Sequence, residues 1–220
     1  MKIRIIGDIH GNYTYYAHTI KYADYSLQVG DFGFNHAWSK LLANNVDPKN
    51  HKIVLGNHDD YDFIREQKIP NALDGYGYDM IGDLPFFYVK GSRSIDKEWR
   101  TPGIDWWDAE ELTYRESVDA LNLYEKIKPD VMVTHTVPGD AFHTLFPLKE
   151  LYNSTTAQVL SDMLMIHNPK LWIFGDMHPR RTFMWRVANT QFLCIAIDDY
   201  IEYDTEKSVE ANIEIYDEIL

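Results

Sequence analysis

Lys2-Ile3-Arg4-Ile5-Ile6-Gly7-Asp8-Ile9-His10-Gly11 opens the chain and decides how the rest is read. Residues 2–6 form an apolar run cut off by Gly and Asp, the pattern of a buried strand that ends in a tight loop. Asp8 and His10 are two residues apart, so on an extended backbone their side chains leave the same face. A carboxylate beside an imidazole at a strand end makes half of a metal site. An incidental turn would carry the same two residues, and the downstream sequence decides between these readings.

The pattern recurs. A helix is expected over 13–22, a strand over 27–29 ending at Gly30-Asp31-Phe32-Gly33, a helix over 37–44, and a strand over 53–55 ending at Gly56-Asn57-His58-Asp59. Strand, polar glycine loop and helix in alternation make βαβ units and a largely parallel sheet. In such sheets the chemistry collects at the carboxyl ends of the strands. Further on, a strand over 84–89 precedes Gly91-Ser92-Arg93-Ser94-Ile95-Asp96 and an aromatic stretch with Trp99, Trp106 and Trp107. A helix over 116–126 leads to a strand over 131–133 that ends at Thr134-His135. A helix over 155–167 leads to a strand over 171–174 that ends at Gly175-Asp176-Met177-His178. Two strands, 182–187 and 191–197, follow, and the acidic stretch from Glu202 reads as a last strand or a solvated end. Without repeats, low-complexity runs or a flexible linker, residues 1–220 are expected to form one domain.

Composition narrows the classes. The 220 residues are 45% hydrophobic, which excludes global disorder, and carry a formal net charge of −13. No Lys/Arg cluster offers the basic stripe of a nucleic-acid binder, so no stable nucleic-acid binding is expected. The charge leaves phosphorylated substrates open, because bound divalent ions reverse the local sign. Cys194 is the only cysteine, so an internal disulfide is impossible and a reduced, cytoplasmic setting is expected. No run approaches the roughly 18 apolar residues of a membrane span, and no membrane partner is expected.

Five strand ends therefore carry Asp8 and His10, Asp31, Asn57 and His58, His135, and Asp176 and His178. Imidazoles, carboxylates and one amide oxygen suit first-row divalent ions. Two such ions clamp both oxygens of an in-line phosphoryl displacement and turn bound water into hydroxide at neutral pH. The motifs GDIHG, GDFG, GNHD, VTHT and GDMH, in this order from Gly7 to His178, resemble those of the calcineurin-like metallophosphoesterase superfamily. The run GSRSIDKEWRTPGIDWW is similar to a segment of its small single-domain bacterial and phage members.

The resemblance implies an α/β fold, a sandwich of two mixed β-sheets flanked by α-helices. It implies Asp8, His10, Asp31 and His178 around one ion, and Asp31, Asn57, His135 and Asp176 around a second, with Asp31 bridging. His58 matches the position that protonates the leaving group or steadies the transition state. The expected cofactors are two divalent metal ions, manganese first, with iron, zinc, nickel or magnesium as alternatives. The expected function is hydrolysis of phosphomonoesters, phosphodiesters or both by direct attack of a metal-bound hydroxide. Asp176 stands where the superfamily has His, and a carboxylate there favours the harder ions Mn or Mg. Protein Ser/Thr phosphatases of the superfamily carry Asp-Arg-Gly shortly after the bridging Asp. Gly33-Phe34-Asn35-His36 stands here instead, which disfavours that activity. A binding scaffold that kept the fold and lost turnover is the remaining alternative.

Arg93, between Gly and Ser residues, suits a bidentate contact with a substrate phosphate, with a structural ion pair as the competing reading. Arg180 and Arg181 carry the same ambiguity. His18, His36, His51, His143 and His167 lie outside the motifs and read as surface or core histidines, with His36 and His143 nearest the motif loops. The tryptophan-rich segment reads first as a hydrophobic cluster under a long loop and second as a wall of the substrate pocket. Cys194 reads as inert packing.

Overall fold

The computed structural model describes residues 1–34, 46–145 and 154–213. The expected helix over 37–44 and His36 lie outside these residues. The opening apolar run forms β1 (Lys2–Ile6), which pairs in parallel with β2 (Tyr25–Gln28), in register Ile5 to Leu27. Next come β3 (His51–Val54) and the two-residue β4 (Ala72–Leu73), also parallel. β11 (Tyr200–Asp204) closes the other edge antiparallel to β1. The acidic stretch is thus a strand at first, and a short helix, Val209–Ile213, follows it.

The second sheet has six strands. β5 (Tyr76–Ile81) and β6 (Leu84–Val89) form an antiparallel hairpin. β7 (Val131–Thr134), β8 (Leu171–Phe174) and β10 (Thr190–Cys194) continue from β6 in parallel, and β9 (Phe183–Val187) ends the sheet antiparallel to β10. Both sheets are mixed, as expected.

Side-chain alternation builds the layers, because successive residues of a strand face opposite sides. Ile3, Ile5, Leu27, Phe86, Val133, Ile173 and Leu193 meet between the sheets in one buried cluster. On the outer face of the second sheet, Phe87, Met132, Trp172 and Phe174 pack under α3 (Tyr114–Ile127) and α5 (Thr155–Ile166). On the outer face of the first, Ile6 and Ile53 pack under α1 (Tyr13–Ile20) and α2 (Tyr61–Gln67). The order helix, sheet, sheet, helix follows. Truncating a fully buried residue of the middle layer, such as Ile5 to Ala, is expected to cost about 2–5 kcal/mol.

α2 and β4 were not expected from sequence, and three further local features depart from the expectations. The helix expected from Glu116 begins at Tyr114, because the Thr113 hydroxyl accepts from the Glu116 amide while the Glu116 carboxylate accepts from Thr113 N–H, a closed capping box. The hairpin strand β5 was not expected from sequence. It is an edge strand whose side chains are mostly half-exposed, so its apolar period is weak. A helix, α4 (Gly139–Leu145), starts at Gly139 just after Pro138, where turn-forming residues mask it.

Candidate metal centre and its cavity

The carboxyl ends of β1, β2 and β3 in one sheet and of β7 and β8 in the other face a common cleft. All five motif loops leave from these ends. The side chains do not converge by strand alternation, as the spacing of Asp8 and His10 suggested. His10 (φ 43), Asp31 (φ 51), Asp176 (φ 61) and His178 (φ 46) all adopt left-handed backbone. Each such non-glycine residue costs on the order of 1–3 kcal/mol, and such strain clusters where function requires a set geometry. The loops turn back, and the donors meet over the strand ends.

Asp8, His10, Asp31 and His178 bring one ligand atom each to within 4.8 Å of one another. His178 Nε2 lies 3.0 Å from Asp8 Oδ2 and 3.0 Å from His10 Nε2, and His10 Nε2 lies 3.7 Å from Asp31 Oδ2. Asp8 Oδ1 is buried and has no hydrogen-bond partner among the described residues. Two imidazole nitrogens aimed at each other between two buried carboxylates fit a divalent cation.

A second set centres on His135 Nε2, which lies 3.0 Å from Asn57 Oδ1, 3.2 Å from Asp31 Oδ1 and 3.7 Å from Asp176 Oδ1. Asp31 thus faces both sets, one oxygen to each. Every other member of the second set is fixed from behind. His135 Nδ1 donates to the Val29 carbonyl (3.1 Å), which directs Nε2 at the oxygens. Asn57 Nδ2 donates to Ser94 Oγ (3.0 Å), so its Oδ1 faces His135. Ser94 Oγ in turn donates to the buried Glu110 (2.6 Å). Ser92 Oγ donates to Asp176 Oδ2 (2.9 Å), leaving Oδ1 for the cleft.

Glycines make room for this. A Cβ on Gly30 would run into the His135 ring, and one on Gly175 would run into the Asp8 carboxylate. Asp59 ties the loops together by accepting from the amides of Gly33 (2.7 Å), Phe34 (3.2 Å) and Gly56 (2.8 Å).

Proton affinities follow from burial and charge. Burial pushes Asp8 up to about 6. Burial would raise Asp31 too, but the surrounding imidazoles, His135 first, hold it below the usual carboxylate range. Burial opposes a charge on His135, yet Asp31 and the neighbouring carboxylates raise its affinity well above that of a free imidazole. The hydrogen bond to Asp8 raises His178. Burial lowers His10 and His58, and Arg100 lowers His58 further.

The His58 side chain joins neither set, although its backbone N–H donates to Asp31 Oδ1 (2.8 Å) and its ring meets the edge of His10. Its Nε2 is 3.9 Å from Asp31 Oδ2, and the ring lines a cavity of about 710 Å³ in front of the donors. Arg93, Arg100, Ile95 and Asp96 also line that cavity, and Val137, Phe142 and Met177 contribute apolar surface. Sequence reasoning missed Arg100, Ser92, Ser94, Glu110 and Asp59. Only Asp59 had a signal, as the last residue of GNHD. The tryptophans behave differently from one another. Trp107 is buried against Ile6 and Tyr61, as the cluster reading expects, whereas Trp99 is 90% exposed. His143 is not among the cavity residues.

A sequence model of the calcineurin-like phosphoesterases matches residues 1–180. The chain is a calcineurin-like phosphoesterase. Its class of reaction is hydrolysis of phosphoric esters. No curated protein sequence matches the chain. Among solved structures, a Staphylococcus aureus protein described as a candidate 5'-nucleotidase is 14% identical, with a TM-score of 0.51. The match covers 93% of this chain and 51% of that one, so the phosphoesterase spans about half the length of that relative. The phosphopantetheinyl hydrolase of Mycobacterium tuberculosis is 14% identical over 90% of both chains, with a TM-score of 0.47. The likeness to the Staphylococcus aureus protein is one of fold. Among the described residues no helix is long and apolar enough to cross a membrane.

Proposed function

We propose that this phosphoesterase works with two divalent ions, manganese first, bridged by Asp31. Asp8, His10 and His178 complete the first site, and Asn57, His135 and Asp176 the second. The observation that carries this reading is the divided carboxylate of Asp31: Oδ2 lies 3.7 Å from His10 Nε2 and Oδ1 lies 3.2 Å from His135 Nε2. When bound, such ions polarise phosphoryl oxygens and make water acidic enough to attack at neutral pH.

The chain's own residues do the rest. Asn57 and Asp176 are held by Ser94 and Ser92, so donor oxygens stay aimed at the cleft without reorganisation. His58 faces the cavity and belongs to neither donor set, which suits it to hydrogen-bond the leaving oxygen and pass it a proton. Burial and Arg100 lower its proton affinity, and an anionic ester beside it would raise that affinity again. Asp176 in place of an imidazole makes the second site harder and favours Mn or Mg.

The test is hydrolysis of p-nitrophenyl phosphate and bis-p-nitrophenyl phosphate by chelator-stripped protein with metals added back singly. Activity that returns with Mn and saturates at two ions per chain supports the reading. Full activity in the stripped protein, or saturation at one ion, contradicts it.

A further inference from the structure

The geometry points to Arg100 as a direct ligand of the substrate's phosphoryl oxygens, one that selects doubly charged phosphomonoesters over singly charged diesters. This role rests on the phosphoesterase reading above and adds the substrate class to it.

Arg100 comes from a stretch far from the metal motifs, and the fold brings its guanidinium onto the His58 ring. NH2 lies 3.0 Å from His58 Nε2, and NH1 lies 3.3 Å from Nδ1. A neutral imidazole has only one lone-pair nitrogen, so both contacts cannot be hydrogen bonds. The guanidinium therefore lies along the ring and gives it at most one N–H. Elsewhere, Nε binds Asp96 Oδ1 (2.7 Å), and NH1 donates to the Asp105 carbonyl (3.3 Å). A guanidinium has more donors than these contacts use. The remaining ones sit on a group that lines the cavity together with Asp31, Asn57, Asp176 and His178.

The group is also held in place, as a specificity element must be. Its side chain is only 11% exposed. The loop that follows is closed by Thr101 N–H on Asp105 Oδ1 (2.5 Å) and Gly103 N–H on the Trp106 carbonyl (2.8 Å). Asp96 fixes the guanidinium through Nε and leaves the NH1 and NH2 edge beside His58. A phosphoryl group whose leaving oxygen meets His58 presents its other oxygens to this edge. A phosphomonoester is close to a dianion at neutral pH, whereas a diester carries one charge, so a fixed cation there favours the monoester.

The experiment uses the Mn-loaded full chain, its Arg100→Gln and Arg100→Lys variants, and Arg100→Gln in a His58→Ala background. Inorganic phosphate binding is measured by calorimetry, and kcat/KM is measured for p-nitrophenyl phosphate and its bis ester. Arg100→Gln is expected to weaken phosphate binding roughly 10- to 100-fold, the worth of a charge-assisted hydrogen bond. The monoester kcat/KM should fall by a similar factor and the diester value far less, with Arg100→Lys in between. The weakening should persist without His58. Unchanged phosphate binding, equal losses on both esters, or a loss that vanishes in the His58→Ala background overturns the assignment. In the last case Arg100 merely positions His58. Wild-type protein that binds phosphate through Arg100 but hydrolyses neither ester leaves Arg100 as the anion ligand and refutes the phosphoesterase reading instead.

Discussion

The two donor sets share Asp31 and differ in everything that holds them. Asn57, His135 and Asp176 are tied from behind to Ser94, the Val29 carbonyl and Ser92. His10 and His178 stand at the rim, with side chains 30% and 40% exposed, and meet each other, carboxylates of the set and, for His10, the edge of the His58 ring. The second set is held by the fold. In the first, the fold ties Asp8, whose Oδ2 accepts from Asp176 N–H (3.0 Å), while the two imidazoles lean on their own set. An ion at the first site should therefore exchange faster, and the identity of the ion at the second should depend on residues that never touch it.

Removing the shared residue should break the comparison altogether. Asp31→Ala is expected to lose both ions and reduce hydrolysis to background, as read by metal analysis and turnover. Two ions retained in that variant would sink the bridging role. His58→Ala comes next. It should keep both ions and lower kcat by roughly 10²–10⁴-fold, the range of a general acid. The loss should shrink for esters with good leaving groups, and an equal loss for poor and good ones would make the role purely electrostatic.

The second set can be probed alone. Asp176→Ala should lose its ion while Asp8, His10 and His178 keep theirs, and Asp176→His should shift preference towards Zn or Fe. Ser94→Ala, which frees the Asn57 amide, should weaken the second ion by about 10- to 100-fold and leave the first unchanged. Equal weakening of both ions would mean that Ser94 acts on the fold at large.

The smallest effect concerns the metal-free protein. Burial pushes Asp59 from its ordinary 3.8 up to about 7, so between these values the folded chain keeps a proton that the unfolded chain releases. Stability supplied by such a group falls as pH rises through that window. Asp8, pushed up to about 6, acts in the same direction. In chelator, Asp59 and Asp8 should pull Tm down across this range, against the opposite pull of His10 and His58, whose proton affinity burial lowers. Asp59→Asn should melt lower, because an amide cannot accept from all three backbone donors, but with a flatter slope. An unchanged slope would show that Asp59 is ionised throughout.

Much of this was legible in the sequence, because apolar strands broken by Gly-Asp or Gly-Asn announce both the sheet and the loops that bear ligands. Every expected donor among Asp8, His10, Asp31, Asn57, His135, Asp176 and His178 lies in the cleft. The backing layer was not legible. Ser92, Ser94 and Glu110 are ordinary polar residues until β6 delivers the 91–96 segment beneath Asn57 and Asp176. Arg100 was hidden for the same reason: its stretch reads as aromatic loop, and only tertiary contact places it on His58. The left-handed turns at His10 and His178 were also invisible, since neither residue type demands that backbone.

Whether one carboxylate is shared by two ions can be read from electron paramagnetic resonance of the Mn-loaded protein. Two Mn ions per chain are expected, with an exchange-coupled spectrum that collapses in Asp31→Ala. An isolated-ion spectrum at full loading, or one unchanged by Asp31→Ala, would contradict that sharing.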